Sequence, residues 1–210
     1  MARRAWGDAV QNREEQFDLK RAALLSTAAR LIKERGYANV SLLDIADELH
    51  IAKPTLYHYF KSKGELLREL FAIATGAFLD PAEHADDYPL ATGLTGAEQL
   101  ERFIRRGARI VVDDLGSALV TLPANSPEMS SVASSSLGVR QMVETIIRAG
   151  IADGSLVPCD VETSYQFIVG TLRHLPAWFA GRDISLKDAS DSLVDFILRG
   201  LGSGALKKAR

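Results

Sequence analysis

The stretch SLLDIADELHIAKPTLYHYFKSKGELL, residues 41–67, decides the fold of this 210-residue chain. Ser41 and Asp44 match a capping box, which predicts a short helix to about His50. Pro54 suits the first position of a second short helix. The backbone N–H at that position has no partner within the helix, so a proline, which lacks the N–H, loses no hydrogen bond there. Two short helices joined by a turn of three or four residues, behind a longer supporting helix, predict a helix-turn-helix unit.

The apolar pattern of this stretch separates a buried side from an exposed side. We expect apolar side chains of both short helices to pack against the helix over residues 17–35, which Gly36 ends; they are Leu43, Ile45, Ala46, Leu49, Leu56, Tyr59 and Phe60. The outward residues of the second helix are Lys53, Thr55, Tyr57 and His58, types that reach base edges and phosphates. A three-helix packing unit that binds no DNA is the alternative.

The remaining sequence also shows helical periodicity almost throughout. Capping signals predict further helices over 62–79, 95–122, 139–152, 160–180 and 185–201, with irregular segments over 80–94 and 123–136. The predicted fold is therefore all-α, with about nine helices. We expect a flexible N-terminal arm over residues 1–16, a three-helix helix-turn-helix head over 17–63, and a helical ligand-binding and dimerisation domain over 64–210.

Composition excludes several classes of protein. Hydrophobic residues at 47% and charged residues at 25% are typical of a globular domain, not of a disordered or fibrous chain. The lone cysteine, Cys159, excludes an internal disulfide, and the four histidines lack metal-ligand spacing, so we expect no metal and no cofactor. Without an apolar span or signal-peptide core, the expected protein is cytoplasmic and nucleoid-associated, with no membrane partner.

Net charge is −2, but it is unevenly distributed. Residues 1–63 carry 11 basic against 8 acidic residues, or +3, and residues 64–210 carry 14 against 19, or −5. The net charge by itself does not indicate a nucleic-acid partner, but the sequence has a mildly basic head on an acidic body.

Residues 17–70 closely resemble the DNA-binding head of TetR-family transcriptional regulators. The resemblance rests on Gly36-Tyr37, Ile45-Ala46, Thr55-Leu56-Tyr57-x-Tyr59-Phe60 and Lys63-x-Glu65-x-Leu67. It implies a regulator, a repressor by family default, that binds a palindromic operator in double-stranded DNA as a homodimer. It also implies phosphate contacts by Ser41, Leu42, Tyr57 and Lys63, and base contacts by Lys53, Pro54, Thr55 and His58. Pro54 departs from the small residue often found at its position.

The last two predicted helices are the expected dimer face. The helix over 160–180 is apolar around most of its circumference, so it must be buried on two sides, one of which can face a partner subunit. Completion of a monomeric core is the alternative. The resemblance implies the same dimer face, with candidate residues Tyr165, Gly170, His174, Leu193, Phe196, Ile197 and Leu201.

A small-molecule effector pocket is expected among the helices after residue 64. Core packing is the alternative for each candidate wall residue; the candidates are Phe103, Gly107, Val111, Met142, Ile146, Phe167, Thr171, Arg173 and Trp178. Arg173 lies in the apolar stretch IVGTLRHLPAW and needs a partner, either Asp113 or Asp114 or an anionic group of a ligand. This region resembles TetR-family members that sense acyl-CoA-type lipids or steroid catabolites, which implies a largely apolar effector.

Two other function classes compete with this interpretation. An enzyme is not expected, because the sequence holds no nucleophile elbow, Walker loop or HExxH motif. A helical module that sequesters another protein would need no basic recognition helix. For the regulator, we expect a population shift in which effector binding moves the helix over 62–79, changes the spacing of the two heads and releases DNA.

Overall fold

The fold is taken from a computed structural model of the chain. It describes residues 2–82, 88–113, 116–117, 130, 136–179 and 181–201, with side chains from residue 15 onwards except that of Phe179. These residues form eight α-helices and no β-sheet, which confirms the all-α prediction with one helix fewer than expected over the described part. The helices are α1 (Ala2–Arg35), α2 (Leu42–Glu48), α3 (Lys53–Tyr59), α4 (Lys63–Leu79), α5 (Gly96–Val112), α6 (Leu137–Asp153), α7 (Val161–Phe179) and α8 (Leu186–Leu201).

The helices begin where the capping signals placed them. Ser41 Oγ accepts a hydrogen bond from the Asp44 amide at 3.2 Å, and Asp44 Oδ2 accepts one from the Ser41 amide at 2.6 Å. These contacts with Ser41 hold the pKa of the Asp44 carboxyl below its usual value. Thr95 and Glu98 form the same reciprocal pair at the start of α5. The predicted caps at Ser62, Asp160 and Ser185 are also present.

Two hydrophobic cores share the connecting helix α4. The head core packs α1, α2, α3 and the first turns of α4, with Leu66 and Leu70 of α4 fully buried in it. The body core is formed by α5 to α8, and Phe78 and Leu79 at the other end of α4 pack against it. A movement of α4 therefore affects both cores.

Helices α5 and α6 approach so closely that their contact requires glycine. A Cβ on Gly96 would lie 2.1 Å from the backbone nitrogen of Gly150. The chain after α6 also caps α5, because Asp153 Oδ2 accepts from the Gly96 amide at 2.7 Å and Ser155 Oγ accepts from the Ala97 amide at 3.0 Å. Hydrogen bonds from Ser155 and from the Gly96 amide lower the pKa of the Asp153 carboxyl.

Helix α5 is shorter than predicted. It ends at Val112, with Asp113 in an extended conformation, whereas the sequence pattern predicted a helix to Leu122. The β-branched run at residues 110–112 weakens the end of the helix. The chain then folds back so tightly that a Cβ on Gly116 would lie 1.9 Å from the Ile110 carbonyl oxygen. Leu122 lies outside the described residues.

Helix α1 is longer than predicted. Residues 2–16, expected to form an irregular arm, are helical in the structure. They are rich in Ala, Arg, Glu and Gln, which have high helix propensity, and contain no proline. Across the described part of the chain, no helix is both long enough and apolar enough to cross a membrane.

Candidate functional site

The first candidate site is the helix-turn-helix of the head. The turn between α2 and α3 is closed by hydrogen bonds from the His50 amide to the Asp47 carbonyl, at 3.1 Å, and from the Ile51 amide to the Ala46 carbonyl, at 3.0 Å. His50 adopts a left-handed conformation with φ of 52°. Since Leu56 is buried in the head core, α3 is held with its other side towards solvent.

The outward face of α3 carries the four residues that the sequence assigned to it, together with Pro54. Lys53, Pro54, Thr55, Tyr57 and His58 are all exposed, and the helix contains no acidic residue. Lys53 Nζ lies 5.8 Å from the centre of the Tyr57 ring. The helix therefore presents a compact surface of hydrogen-bond donors, a cation and aromatic rings.

A cleft beside α3 brings together the predicted phosphate contacts. Ser41, Leu42, Tyr57 and Lys63 all line it, and the N-terminus of α4 opens onto it. N-terminal amides of a helix attract anions. The structure adds Leu43 and Asp44 of α2, Lys61 and Ser62 before α4, and residues 38–40 of the loop before α2 to this cleft. The Asp44 carboxylate is bonded to Ser41.

Leu43 and Lys61 were not among the predicted contact residues, although the sequence places Lys61, like Lys63, next to the start of the helix that begins after Ser62. Leu43 was expected on the inner face of α2, but 43% of it is exposed. The signal was available, because the buried residues Leu42, Ile45 and Ala46 follow the i, i+3, i+4 spacing without it. Lys61 is exposed beside the cap of α4, and its backbone amide donates to Glu65 Oε2 at 2.7 Å, while its ammonium group has no partner among the described residues.

Lys63 has structural contacts of its own. Its ammonium group donates to the Tyr37 carbonyl oxygen and lies 3.9 Å from the centre of the Tyr37 ring. The side chain is half-buried and ties the start of α4 to the turn after α1. A phosphate contact by Lys63 would have to share the ammonium group with Tyr37.

His58 also contacts the head itself. Its ring lies edge-on to Phe17 of α1, with centroids 5.9 Å apart, and Phe17 stacks on Tyr59 at 4.6 Å. One side of the imidazole is exposed to solvent, and the other side packs against Phe17. This contact orients the last turn of α3 against α1.

The second candidate site is a cavity of about 160 Å³ in the body. Its walls come from α4, α5, α6, α7 and the segments next to α5 and α6, and they are mostly apolar. The lining residues are Phe71, Ala74, Thr75, Phe78, Phe103, Ile110, Val111, Gly116, Ser136, Val139, Tyr165, Val169, Leu172 and Arg173.

Three of the nine predicted pocket residues, Phe103, Val111 and Arg173, line this cavity. Gly107 lies next to it at a tight helix crossing, where a Cβ would be 2.9 Å from Leu172 Cδ1. The other five predicted pocket residues do not line this cavity. Met142 and Ile146 are part of the body core, Trp178 packs against that core, and Phe167 and Thr171 lie on the outer surface of α7.

Arg173 is the cation of the cavity wall. Within the described residues it forms no ion pair, and the expected pairing with Asp113 is absent; Asp114 lies outside them. Neighbouring Tyr165 has a raised pKa, chiefly because of burial, which the charges of Arg140 and Arg173 oppose. The Arg140 guanidinium carbon lies 5.3 Å from the centre of the Tyr165 ring and its nitrogens bond Glu144 and Glu162. Arg173 is therefore a cation of the cavity wall without an ionic partner among the described residues.

The third candidate site is a groove on the outer surface of α7 and α8. Phe167 and Phe196 line it with 72% and 75% of their surface exposed. Of the predicted dimer residues, Phe196, Ile197 and Leu201 also line the groove. Gly170 and His174 lie outside the body core, and His174 is exposed.

Two other predicted dimer residues do not line this groove. Leu193 is buried in the body core, and Tyr165 faces the cavity. Helix α7 is apolar on more than one side, so the sequence pattern did not separate its cavity side from its outer side. Among the described residues, no group of three or more His, Cys, Asp or Glu side chains could hold a metal ion.

Comparison with known proteins matches both parts of the chain. The model of bacterial regulatory proteins, tetR family, matches residues 24–70, and the tetracyclin repressor-like C-terminal domain matches residues 93–201. The HTH-type transcriptional repressor KstR2 of Mycolicibacterium smegmatis is 29% identical over 193 residues, covering 87% of this chain and 90% of the relative.

A second relative and a ligand-bound crystal structure both come from Bacillus subtilis. The fatty acid metabolism regulator protein of Bacillus subtilis is 25% identical over 185 residues, covering 85% of this chain and 93% of that protein. The crystal structure of FadR from Bacillus subtilis in complex with stearoyl-CoA superposes with a TM-score of 0.70 at 25% identity, covering 85% of this chain and 98% of that one. From its head to its last helix, the chain belongs to the tetR family of bacterial regulatory proteins.

Proposed function

We propose that this protein is a ligand-responsive transcriptional repressor. It binds a palindromic operator as a homodimer and releases it when a largely apolar effector with an anionic group enters the body cavity. The observation that carries the proposal is the exposed face of α3, which has no acidic residue and lies beside a cleft containing Lys61. A protein that acts on an operator works in the cytoplasm, at the chromosome, and the proposal gives it no catalytic role.

DNA contacts follow from the two surfaces of the head. We assign base contacts to Lys53, Pro54, Thr55 and His58 on α3, because an exposed helix of this size enters the major groove. Phosphate contacts are assigned to residues of the cleft, where hydroxyl groups, amides and cations converge; these are Ser41, Leu42, Tyr57, Lys61 and Lys63. Within this set, Lys61 is the most exposed source of positive charge in the cleft.

Dimerisation is assigned to the outer groove of α7 and α8. Two large side chains, Phe167 and Phe196, are largely exposed on adjacent helices, and burying them against a second copy removes apolar surface from water. Two-fold symmetry would place two α3 helices in successive major grooves, about 34–36 Å apart.

The effector class follows from the chemistry of the cavity. Its aromatic and aliphatic walls suit an acyl chain or a similar apolar body, and Arg173 suits a carboxylate or phosphate. The related FadR of Bacillus subtilis has been solved with stearoyl-CoA, which combines these two features. We therefore propose an acyl-CoA-type effector for this chain.

Binding of such a molecule requires the cavity to widen. Its volume is about 160 Å³, while pockets for ligands of drug size have about 300–1,000 Å³. Helix α4 supplies four of the wall residues and also belongs to the head core. Widening would therefore displace α4 and with it the head, and the effector shifts the population towards that conformation by its higher affinity for it.

One titration tests the regulator and its effector together. Labelled genomic fragments, including the region beside the protein's own gene, are bound at two salt concentrations with and without stearoyl-CoA. We expect selective, salt-sensitive binding that stearoyl-CoA weakens at least about tenfold, within the range of typical allosteric coupling. Absence of DNA binding at both salt concentrations would favour the sequestering module instead.

Two variant pairs test the site assignments. Arg173→Met should bind DNA normally but need about tenfold or more stearoyl-CoA for release, because a charge-assisted hydrogen bond contributes about 1.5–3 kcal/mol. Arg148→Met, on the exposed part of α6, is the matched control. Phe196→Glu should convert a dimer into a 22.9 kDa monomer in light scattering, whereas Leu19→Glu, at an exposed leucine of α1, should not.

A further inference from the structure

Arg106 of α5 is a buried charged residue that forms hydrogen bonds with the end of α4. Only 2% of the residue is exposed. Its Nε donates to the Ala77 carbonyl oxygen at 2.8 Å, and its Nη2 donates to the Asp80 carbonyl oxygen at 2.6 Å. Ala77 is in the last turn of α4 and Asp80 is its C-cap, so both acceptors lie at the negative end of the helix dipole. The guanidinium group thus stabilises carbonyls that a helix end leaves unpaired.

The same turn of α5 also forms the wall of the cavity. Phe103, one turn before Arg106, lines the cavity and packs on Phe78 of α4 with ring centroids 5.4 Å apart. Gly107 lets the two helices approach, because a Cβ there would be 3.1 Å from the Phe78 ring. The end of α4 is consequently held by a polar contact and an apolar contact within one turn of its neighbour.

The opposite end of α4 is fixed to the head. Leu66 and Leu70 are buried in the head core, and Lys63 is bonded to the Tyr37 carbonyl. Between the two ends, Phe71, Ala74, Thr75 and Phe78 face the cavity. Any ligand that enlarges the cavity therefore pushes on α4 between its attachment to α5 and its attachment to the head.

The contact of Arg106 with the end of α4 determines how far the head moves when the cavity widens. With a rise of 1.5 Å per residue, Thr75 is about 6 Å from Leu79 and Lys63 is about 24 Å from it. If the end at Leu79 is fixed, a shift of about 1 Å at Thr75 becomes about 4 Å at Lys63. If that end is loose, α4 can move sideways as a whole, and the head moves by only about 1 Å.

We propose that Arg106 is a positioning residue that makes the C-terminal end of α4 a pivot, through which occupation of the cavity changes the position of the head. This inference rests on the proposed function, in which an effector in the cavity releases DNA. It assigns Arg106 a role in the coupling between the two sites, without contact to either DNA or effector.

The coupling factor is the readout that a purely structural role would not alter. It is the ratio of the operator Kd with saturating stearoyl-CoA to the Kd without it, measured on a genomic fragment selected by the wild-type protein. We expect a factor of at least about ten for wild type and below about three for Arg106→Met, with the Kd for stearoyl-CoA itself changed less than about threefold. Arg106→Lys keeps one charged donor and should give an intermediate factor.

The matched control is the next residue of α5. Arg105 is also an arginine, but it pairs with Asp191 of α8 at 2.5 Å and with Glu101. Arg105→Met should therefore keep the wild-type coupling factor. A wild-type factor in Arg106→Met, or an equal loss in both variants, would overturn the inference.

A second measurement separates failure of the pivot from failure of the proposed effector. Spin labels on Ala38→Cys in the head and Ala152→Cys in the body, in a Cys159→Ser background diluted with unlabelled protein, report the distance between the two parts of one chain. Arg106→Met should broaden this distance distribution, whereas Arg105→Met should not.

If stearoyl-CoA has no effect on wild type, the proposed effector is wrong. The width of the distance distribution between the two spin labels then tests the pivot by itself. Unchanged widths in Arg106→Met would overturn the inference. If Arg106→Met does not fold, Arg106→Lys takes its place, and the inference fails if that variant has both wild-type coupling and wild-type label widths.

Discussion

Removal of Lys61 should reduce the salt dependence of operator binding by a calculable amount. The side chain is exposed in the cleft beside α3, and in the part of the chain that the structure describes only the backbone amide of Lys61 is bonded. A dimer carries two copies, each placed to neutralise one phosphate, and each neutralised phosphate contributes about 0.9 to the slope of log Kobs against log salt. Lys61→Ala should therefore make the slope shallower by about 1.8.

That change in slope is large enough to measure directly. Between 50 and 200 mM salt, a fourfold increase, a slope difference of about 1.8 corresponds to about a 12-fold smaller loss of affinity in the variant. Fluorescence anisotropy on a fragment selected by the wild-type protein would give both slopes. Lys61→Arg should keep the wild-type slope, and so should Lys187→Ala, whose ammonium group pairs with Asp191 on the body helix α8. Equal slopes for wild type and Lys61→Ala would refute the assignment of the cleft to phosphate contacts.

Three further predictions concern stability and use urea unfolding as the measurement. Gly96→Ala should destabilise the protein by about 1–3 kcal/mol, because its Cβ would overlap the backbone of α6; Gly76→Ala, in an open helical position, should instead stabilise it by about 0.5–1 kcal/mol, and equal effects would contradict the packing account. His50→Gly should stabilise by about 1 kcal/mol, because it relieves the left-handed conformation at φ of 52°; a loss of stability would show that the imidazole has a role of its own. The pKa of Asp153 is lowered in the folded chain, so its contribution is complete above the unfolded value of about 3.8 and is lost as pH falls through the lower folded value. The wild-type advantage over Asp153→Asn should therefore be present at pH 6 and shrink below about pH 4, and a constant difference would contradict this reasoning.

The head was predictable because its information is local. Capping residues such as Ser41 and Ser62 bond amides three positions away, so their signals can be recognised without knowledge of the rest of the chain. The spacing of Ile45, Ala46 and Leu56 likewise determines which sides of α2 and α3 are buried. The involvement of Lys63 with Tyr37 was not predictable in this way, since it joins positions 26 residues apart.

The ends of helices were less predictable than their beginnings. The apolar stripe of α5 continues past Val112 in the sequence, but the helix stops there and the chain folds back at Gly116. The three β-branched residues before Asp113 lower helix propensity only slightly, so this signal was too weak to predict the end of α5 from the sequence. Helix propensity is a weak signal, so the high propensity of residues 2–16 did not by itself predict that α1 would extend back to Ala2.

The body cavity and the outer groove could not be separated from sequence, because α7 serves both. Phe167, Gly170, Thr171 and His174 follow one stripe at i, i+3, i+4 and i+7, and Tyr165, Val169 and Leu172 follow another. Both stripes contain aromatic and small residues, so composition does not distinguish a ligand wall from a subunit interface. Only the placement of α4 and α5 against the second stripe makes it the cavity wall and leaves Phe167 exposed on the first. Because the two stripes share one helix, a ligand that displaces α7 from the cavity side would also move the surface where we propose that a second subunit docks.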